Sequence, residues 1–141
     1  MPKTPVPAEL DEFLRQPNPA VIATLRQAGS PHTAATWYLW EAGRVLVNMD
    51  PSRRRLALLR RDPRASITIL GGDGWHRHVT LEGRAVSIEP DPDLEDIDRL
   101  AHHYTGNAFG TRTRPRVSAR IEVESFHAWA GTGAWVTAVG R

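Results

Sequence analysis

Three consecutive arginines, Arg53, Arg54 and Arg55, follow Ser52 at the start of a segment patterned like a short helix. The dipole makes such a terminus electropositive, so each added cation there costs on the order of 0.3 to 1 kcal/mol. A bound anion removes this penalty, because the guanidinium groups, the Ser52 hydroxyl and the free N–H groups then all donate to it. Ser52 at the N-cap position therefore favours a phosphate site, and arginines that extend into solvent are the other interpretation.

A second set of arginines, Arg112, Arg114 and Arg116, alternates with Thr113 and Pro115. This composition is typical of a solvated loop, which is one interpretation of the segment. The other is a second anion contact that supplements the first site, since arginine suits the bidentate recognition of phosphate and carboxylate. The sequence leaves both open.

Other kinds of site have little support. Cysteine is absent, which excludes thiolate metal sites, thiol nucleophiles and disulfides. The histidine pairs His76/His78 and His102/His103 lack a convincing third ligand, so no metal site is expected. No serine lies in a G-x-S-x-G segment, and hydrolysis by a serine nucleophile is therefore not expected.

Composition also limits the expected partners and location. The chain has 141 residues and a formal net charge of +2, too small a charge to indicate a nucleic-acid partner in the absence of an RNP-type motif or a long basic stripe. No segment approaches the roughly 18 apolar residues of a membrane span, and the N-terminal residues have no apolar signal core. We expect a cytoplasmic protein with neither nucleic-acid nor membrane partners.

Turn residues divide the chain into short elements that we expect to form one domain, residues 1–141. Runs of strands without a repeated βαβ pattern favour a mainly β (α+β) fold, a Greek-key barrel with two or three short helices. We expect helices at about 8–15, 52–61 and 91–104, strands at 20–26, 32–40, 44–49, 65–70 and 117–123, and a strand pair within 75–88 that bends at Gly83.

Three segments carry a family resemblance: SPHTAATWYLWEAG, VLVNMDPSRRRLALLRRDPRASI and WHRHVTLEGRA. They resemble the pyridoxamine-phosphate-oxidase-like split-barrel superfamily and, within it, the flavin/deazaflavin oxidoreductases that use coenzyme F420. The resemblance covers nearly the whole chain. It implies a six-stranded antiparallel Greek-key split β-barrel, a homodimer, and two cofactors in grooves between the subunits.

The same resemblance implies cofactor-binding residues. The phosphate would be held by the arginine run and the serine before it. These phosphate residues are Ser52, Arg53, Arg54 and Arg55. The isoalloxazine or deazaflavin ring would be lined by Ala35, Thr36, Trp37, Asn48 and Met49. It would be approached from the opposite strand by His78 and Val79, and the groove would be closed from the partner chain by Trp129.

The activity that the resemblance implies is transfer of a hydride from reduced F420 to an unsaturated small molecule. An FMN-binding oxidoreductase of the same fold and a non-catalytic carrier of a flavin, F420 or a tetrapyrrole stay open as alternatives. Under the F420 interpretation, the second arginine set would contact the acidic tail of that cofactor. Solvent, Tyr38 and His78 are equal candidates for the proton donor, and the sequence does not indicate the substrate.

Overall fold

The computed structural model describes residues 6–130 and the backbone of residues 139–140. Antiparallel strands dominate it, and three helices pack against them. The elements in chain order are α1 (Ala8–Leu14), β1 (Ala20–Leu25), β2 (Pro31–Thr36), β3 (Leu39–Glu41), β4 (Arg44–Met49), α2 (Arg54–Arg61), β5 (Arg64–Leu70), β6 (His78–Pro90), α3 (Glu95–Thr105), β7 (Val117–Trp129) and β8 (Val139–Gly140).

The strands form one sheet in the order β2-β1-β5-β6-β7-β4-β3, with β8 paired to β7. Although β2 and β3 lie at opposite ends of this order, only Trp37 and Tyr38 separate them in the chain. Three Cα–Cα steps reach at most about 11 Å, whereas the ends of a flat seven-stranded sheet would be about 29 Å apart. The sheet must therefore curl until its ends meet, which makes it a barrel split at that seam.

The core lies inside the curled sheet. Alternate residues of the strands point into it, so that Ile22, Ile67, Leu81 and Ile121 are almost fully buried. One end of the core is covered by the apolar face of α1 and another part by α2. The helix residues that join the core are Leu10, Phe13, Leu14, Leu56 and Leu59.

The strand count differs from the expected six. Residues 6–130 contain seven strands, and β8 adds two further residues. The expected strand at 32–40 is interrupted, because the chain crosses the seam at Trp37 and Tyr38, where no strand pairing is present. The expected strand pair within 75–88 is a single strand, β6, and the last long strand runs on past Val123 to Trp129.

Gly83 bends β6 without reversing it. The register between β6 and β7 shifts at Glu82/Gly83, which is the signature of a β-bulge. A Cβ added at Gly83 would lie 1.9 Å from the Glu122 backbone oxygen. The two backbones therefore approach closely at a place that only glycine fits. This confirms the bend, and it explains why β6 and β7 can pair over thirteen residues each on a curled surface.

We expect Gly83→Ala to lower the free energy of unfolding by about 1 to 3 kcal/mol, because the added methyl group has to push apart two paired strands. Urea denaturation measures the loss. Gly72→Ala is the matched control, since nothing lies within 4 Å of a Cβ added there. Equal stability of the two variants would contradict the close approach at the bulge.

Candidate functional site

A cavity of about 550 Å³ opens beside the seam, between β2, β4, α3 and the loop that precedes β7. Its wall combines three aromatic rings with the side chains of Asn48, Arg55 and Arg116. The rings belong to Trp37, Tyr104 and Phe109. We call this cavity the aromatic pocket.

The aromatic wall is rigid. The rings of Trp37 and Tyr104 are stacked, with centroids 5.3 Å apart and planes 11° from parallel. The Tyr104 hydroxyl donates to the Asn18 backbone oxygen at 2.7 Å and accepts the backbone N–H of Tyr38 at 3.3 Å. Burial raises the pKa of Tyr104 to about 12. This stack offers a fixed flat surface on which a planar ligand can lie.

Two guanidinium groups enter the pocket without a carboxylate partner in the described residues. The Nε of Arg55 is buried and has no hydrogen-bond partner. Arg116 donates from its Nε to the Asn48 side-chain oxygen at 2.9 Å, and its guanidinium carbon lies 4.7 Å from the centre of the Phe109 ring. Burial lowers the pKa of both arginines, and the nearby charge of Arg53 adds to the effect, whereas the carboxylates of Asp50 and Asp91 oppose it for Arg116 without pairing with it directly. Partly buried cations without a counter-charge are unfavourable, which points to an anionic ligand.

The two arginines that precede Arg116 in the loop are each paired with an aspartate. Arg112 forms a bidentate ion pair with Asp98, with N–O distances of 2.9 and 3.1 Å. Arg114 pairs with Asp50, and this contact holds the pKa of that carboxyl well below its usual range. Of the second arginine set, only Arg116 therefore lines the aromatic pocket.

The expected N-cap at Ser52 is wrong. Helix α2 begins at Arg54, and Arg53 takes the N-cap position with extended backbone and no side-chain cap. Ser52 lies one residue earlier in a turn, where its backbone N–H donates to the Asp50 carboxylate at 2.9 Å. The Asp50 side chain forms the local turn before α2, so the Ser52 side chain does not cap the helix. Arg53 and Arg54 are exposed and do not line the pocket, which leaves Arg55 as the pocket residue of the run.

The pocket brings together part of the predicted ring-binding set: Ala35, Thr36, Trp37 and Asn48. The side chains of Met49 and Val79 are fully buried in the barrel core. His78 and Trp129 are register partners on β6 and β7, away from this pocket, and Trp129 is 45% exposed. Whether these residues bind a cofactor stays a prediction.

Sequence reasoning missed the α3 side of the pocket. Ile97, Leu100 and Tyr104 lie at helical spacing and line the cavity, whereas the spacing alone identified an amphipathic helix without saying what its apolar face covers. Phe109 lies in the loop after α3, with no pattern that could identify it.

Tyr38 is excluded as a proton donor to the pocket. It is 0% exposed, and its hydroxyl donates to the Leu14 backbone oxygen at 2.8 Å and accepts from the Asn18 amide at 3.3 Å. Burial raises the pKa of this phenol well above its usual value. Its role is to tie the seam to the end of α1.

The described residues contain no group of three or more His, Cys, Asp or Glu side chains placed to hold a metal ion. Among them, no helix has the length and apolarity that a membrane span needs.

The family model described as pyridoxamine 5′-phosphate oxidase matches residues 6–130, which contain strands β1 to β7 and the three helices. The chain belongs to the pyridoxamine 5′-phosphate oxidase family. Members of this family share the split-barrel fold seen here, and the aromatic pocket lies at the split.

Solved structures agree with this family fold. An F420 reductase superposes with a TM-score of 0.78 and is 22% identical, over 86% of this chain and 98% of its own. A conserved hypothetical protein from Mycobacterium tuberculosis superposes with a TM-score of 0.74 and is 26% identical, over 99% and 95% of the two chains. A putative pyridoxamine 5′-phosphate oxidase from Listeria innocua gives 0.67 at 18% identity, over 86% and 96%. At such identities these likenesses establish the fold.

Replacing Tyr38 by Phe tests its structural role. We expect a loss of about 1 to 2 kcal/mol in the free energy of unfolding near pH 7, because the hydroxyl satisfies buried backbone groups. Burial raises the pKa of the folded-state phenol above its unfolded value near 10, so its contribution is complete below pH 10 and is lost as the pH rises further. The decline in stability above pH 10 should therefore be shallower in Tyr38→Phe, as measured by urea denaturation across that range. Parallel declines would contradict this.

Proposed function

We propose that this protein is an oxidoreductase that binds coenzyme F420 in the aromatic pocket and transfers a hydride to an unsaturated small molecule. The observation that carries the proposal is the pair of partly buried guanidinium groups, Arg55 and Arg116, beside a flat aromatic wall in a split barrel of this family. The structural likeness to an F420 reductase supports the choice of cofactor.

The residues fit a phosphate-bearing planar cofactor. The terminal nitrogens of Arg55 and Arg116 are donors for the phosphate oxygens, and charge-assisted bonds of this kind contribute roughly 1.5 to 3 kcal/mol each. The ring would lie against the Trp37 side of the aromatic stack. The pocket of about 550 Å³ is within the range of roughly 300 to 1,000 Å³ that is usual for ligand sites.

The chain's own contribution is binding, orientation and exclusion of water. The bound deazaflavin supplies the hydride, which is chemistry that no protein side chain provides. Ile97 and Leu100 give the wall an apolar surface, and the Trp37–Tyr104 stack fixes the plane of the ligand. Tyr104 is a poor acid, because its hydroxyl already donates to a backbone oxygen and burial raises its pKa to about 12. With Tyr38 and Tyr104 set aside, solvent and His78 stay the candidates for the proton donor.

We further propose that the protein is a homodimer whose second copy completes the site. Trp129 is 45% exposed and Trp75 is 69% exposed, and the His78 Nδ1 donates a hydrogen bond to the Trp75 backbone oxygen at 3.0 Å. Large exposed aromatic side chains of this kind are enriched at interfaces between proteins. In the dimer, Trp129 would close the pocket from the partner chain. Sedimentation equilibrium at micromolar concentration would show a monomer if this is wrong.

Titration of the purified protein with F420 and separately with FMN distinguishes the cofactor candidates by quenching of cofactor fluorescence. Tighter binding of F420 supports the proposal, tighter binding of FMN replaces the cofactor, and binding of neither refutes it. Oxidation of reduced F420 is then followed with a panel of enones and tetrapyrroles. Binding without oxidation across that panel would identify a carrier rather than an enzyme.

We expect Arg55→Gln to weaken F420 binding by about 10- to 100-fold, the equivalent of one charge-assisted contact. The free energy of unfolding of the ligand-free variant should not fall, because the lost charge has no carboxylate partner in the described residues. Arg60→Gln is the matched control: it removes the same charge from an exposed position near the other end of α2. Equal binding by the two variants, measured by the same fluorescence titration, would contradict the assignment of Arg55.

A further inference from the structure

Arg116 differs from the arginines around it, since a neutral amide rather than a carboxylate holds it. Arg112 and Arg114, which lie on the same segment, are each paired with an aspartate. Two carboxylates act electrostatically on the Arg116 guanidinium. Asp50 is already paired with Arg114, and Asp91 is 5% exposed and has no arginine partner in the described residues. Asn48 lies between Asp91 and Arg116 and contacts both.

The orientation of the Asn48 amide is fixed by its partners. Its Nδ2 donates to the Asp91 carboxylate at 3.1 Å and to the Ser118 hydroxyl at 3.0 Å. A carboxylate only accepts, and the Ser118 hydroxyl already donates to Asp96 at 2.7 Å, so the amide nitrogen has to face them. The amide oxygen is then left to face Arg116, whose Nε donates to it at 2.9 Å.

Asp91 is meanwhile satisfied by helix α3. Its carboxylate accepts the backbone N–H groups of Asp96 at 3.2 Å and Ile97 at 3.0 Å, where the positive end of the helix dipole favours a negative charge. The helix start and the Asn48 amide together occupy this carboxylate, so its charge is used to begin α3 and is not paired with Arg116.

We infer that Asn48 is a positioning residue for the anion site of the proposed function, on which this role rests. Its amide keeps the Asp91 carboxylate apart from Arg116 and holds that guanidinium in the aromatic pocket, so that two cations, Arg55 and Arg116, remain available to a ligand with two or more negative charges. Without the amide, Arg116 can turn to Asp91, and the pocket keeps one available cation instead of two.

A double-mutant cycle with inorganic pyrophosphate as the probe tests this role, with affinities measured by calorimetry at fixed ionic strength. Arg116→Gln and Asn48→Ala should each weaken pyrophosphate binding roughly tenfold, the effect of losing one charge-assisted contact. The double variant should bind no more weakly than Arg116→Gln alone, because both changes remove the same cation. Asn48→Ala and Arg55→Gln act on different cations. In the variant that carries both, the two losses of pyrophosphate affinity should therefore multiply.

Ser118→Ala is the matched control for damage to the buried polar network. It removes a partner of the Asn48 amide but leaves the contact between Asn48 and Arg116, so pyrophosphate affinity should stay within about twofold of the wild-type value. A general structural role for Asn48 would make the control as damaging as Asn48→Ala. If Asn48→Ala does not fold, Asn48→Ser enters the same cycle, since its shorter side chain does not reach both Asp91 and Arg116.

The outcomes separate this role from the proposed function. Wild-type affinity in the Asn48 variants, or multiplication of the Asn48 and Arg116 effects, overturns the positioning role, and so does failure of the wild-type protein to bind pyrophosphate. If the cycle behaves as expected but neither F420 nor FMN binds, the anion site stands and the proposed cofactor is wrong.

Discussion

The short connection across the seam is the constraint on which the rest of the molecule depends. Trp37 and Tyr38 join strands from the two ends of the sheet order, and the sheet can satisfy them only by curling. Tyr38 points into the closed end, where its hydroxyl meets the carbonyl of Leu14 at the end of α1 and that of Gln16 just after it. Trp37 points the other way and stacks on Tyr104. One dipeptide therefore closes the core on one side and builds the pocket wall on the other.

The distribution of counter-charges gives the pocket its character. Arginines are frequent along the chain, and exposed ion pairs of this kind contribute little to stability. The pocket arginines differ from the others because no carboxylate pairs with them directly in the described residues. Asp50 and Asp98 neutralise the loop arginines, while Asp91 is occupied by the start of α3. Arg55 and Arg116 remain without such partners in the described residues, on a wall that is otherwise apolar.

Much of the fold was predictable from the sequence, because local signals and the final structure agree there. Strand β4 has the expected bounds, the first helix ends one residue early, and Gly83 marks a bend. The errors arise where tertiary contacts override local preference. The seam interrupts what looked like one strand, and the Asp91 carboxylate caps α3 so that this helix begins at Glu95 instead of residue 91.

The candidate site was only partly predictable, for a physical reason. An arginine run announces surplus charge, but which member becomes a ligand-binding group depends on where the helix begins. Successive side chains of a helix lie about 100° apart around its axis, so the docking of Leu56 and Leu59 in the core also fixes which arginine faces the pocket. Arg55 faces the pocket and its neighbours face solvent. Tyr104 lies on α3 and Phe109 lies in the loop after it. No local sequence pattern predicts that this part of the chain forms a wall of the pocket.

Tyr104 gives the pocket a thermodynamic link to the barrel. Its ring forms the pocket wall, and its hydroxyl holds the backbone of Asn18 and Tyr38. Any ligand that stacks on this wall favours the closed arrangement of α3 and the seam over their locally opened states, since binding to one member of an equilibrium shifts its population. Occupancy of the pocket should therefore slow amide hydrogen exchange at the seam, including the Tyr38 N–H that the Tyr104 hydroxyl accepts.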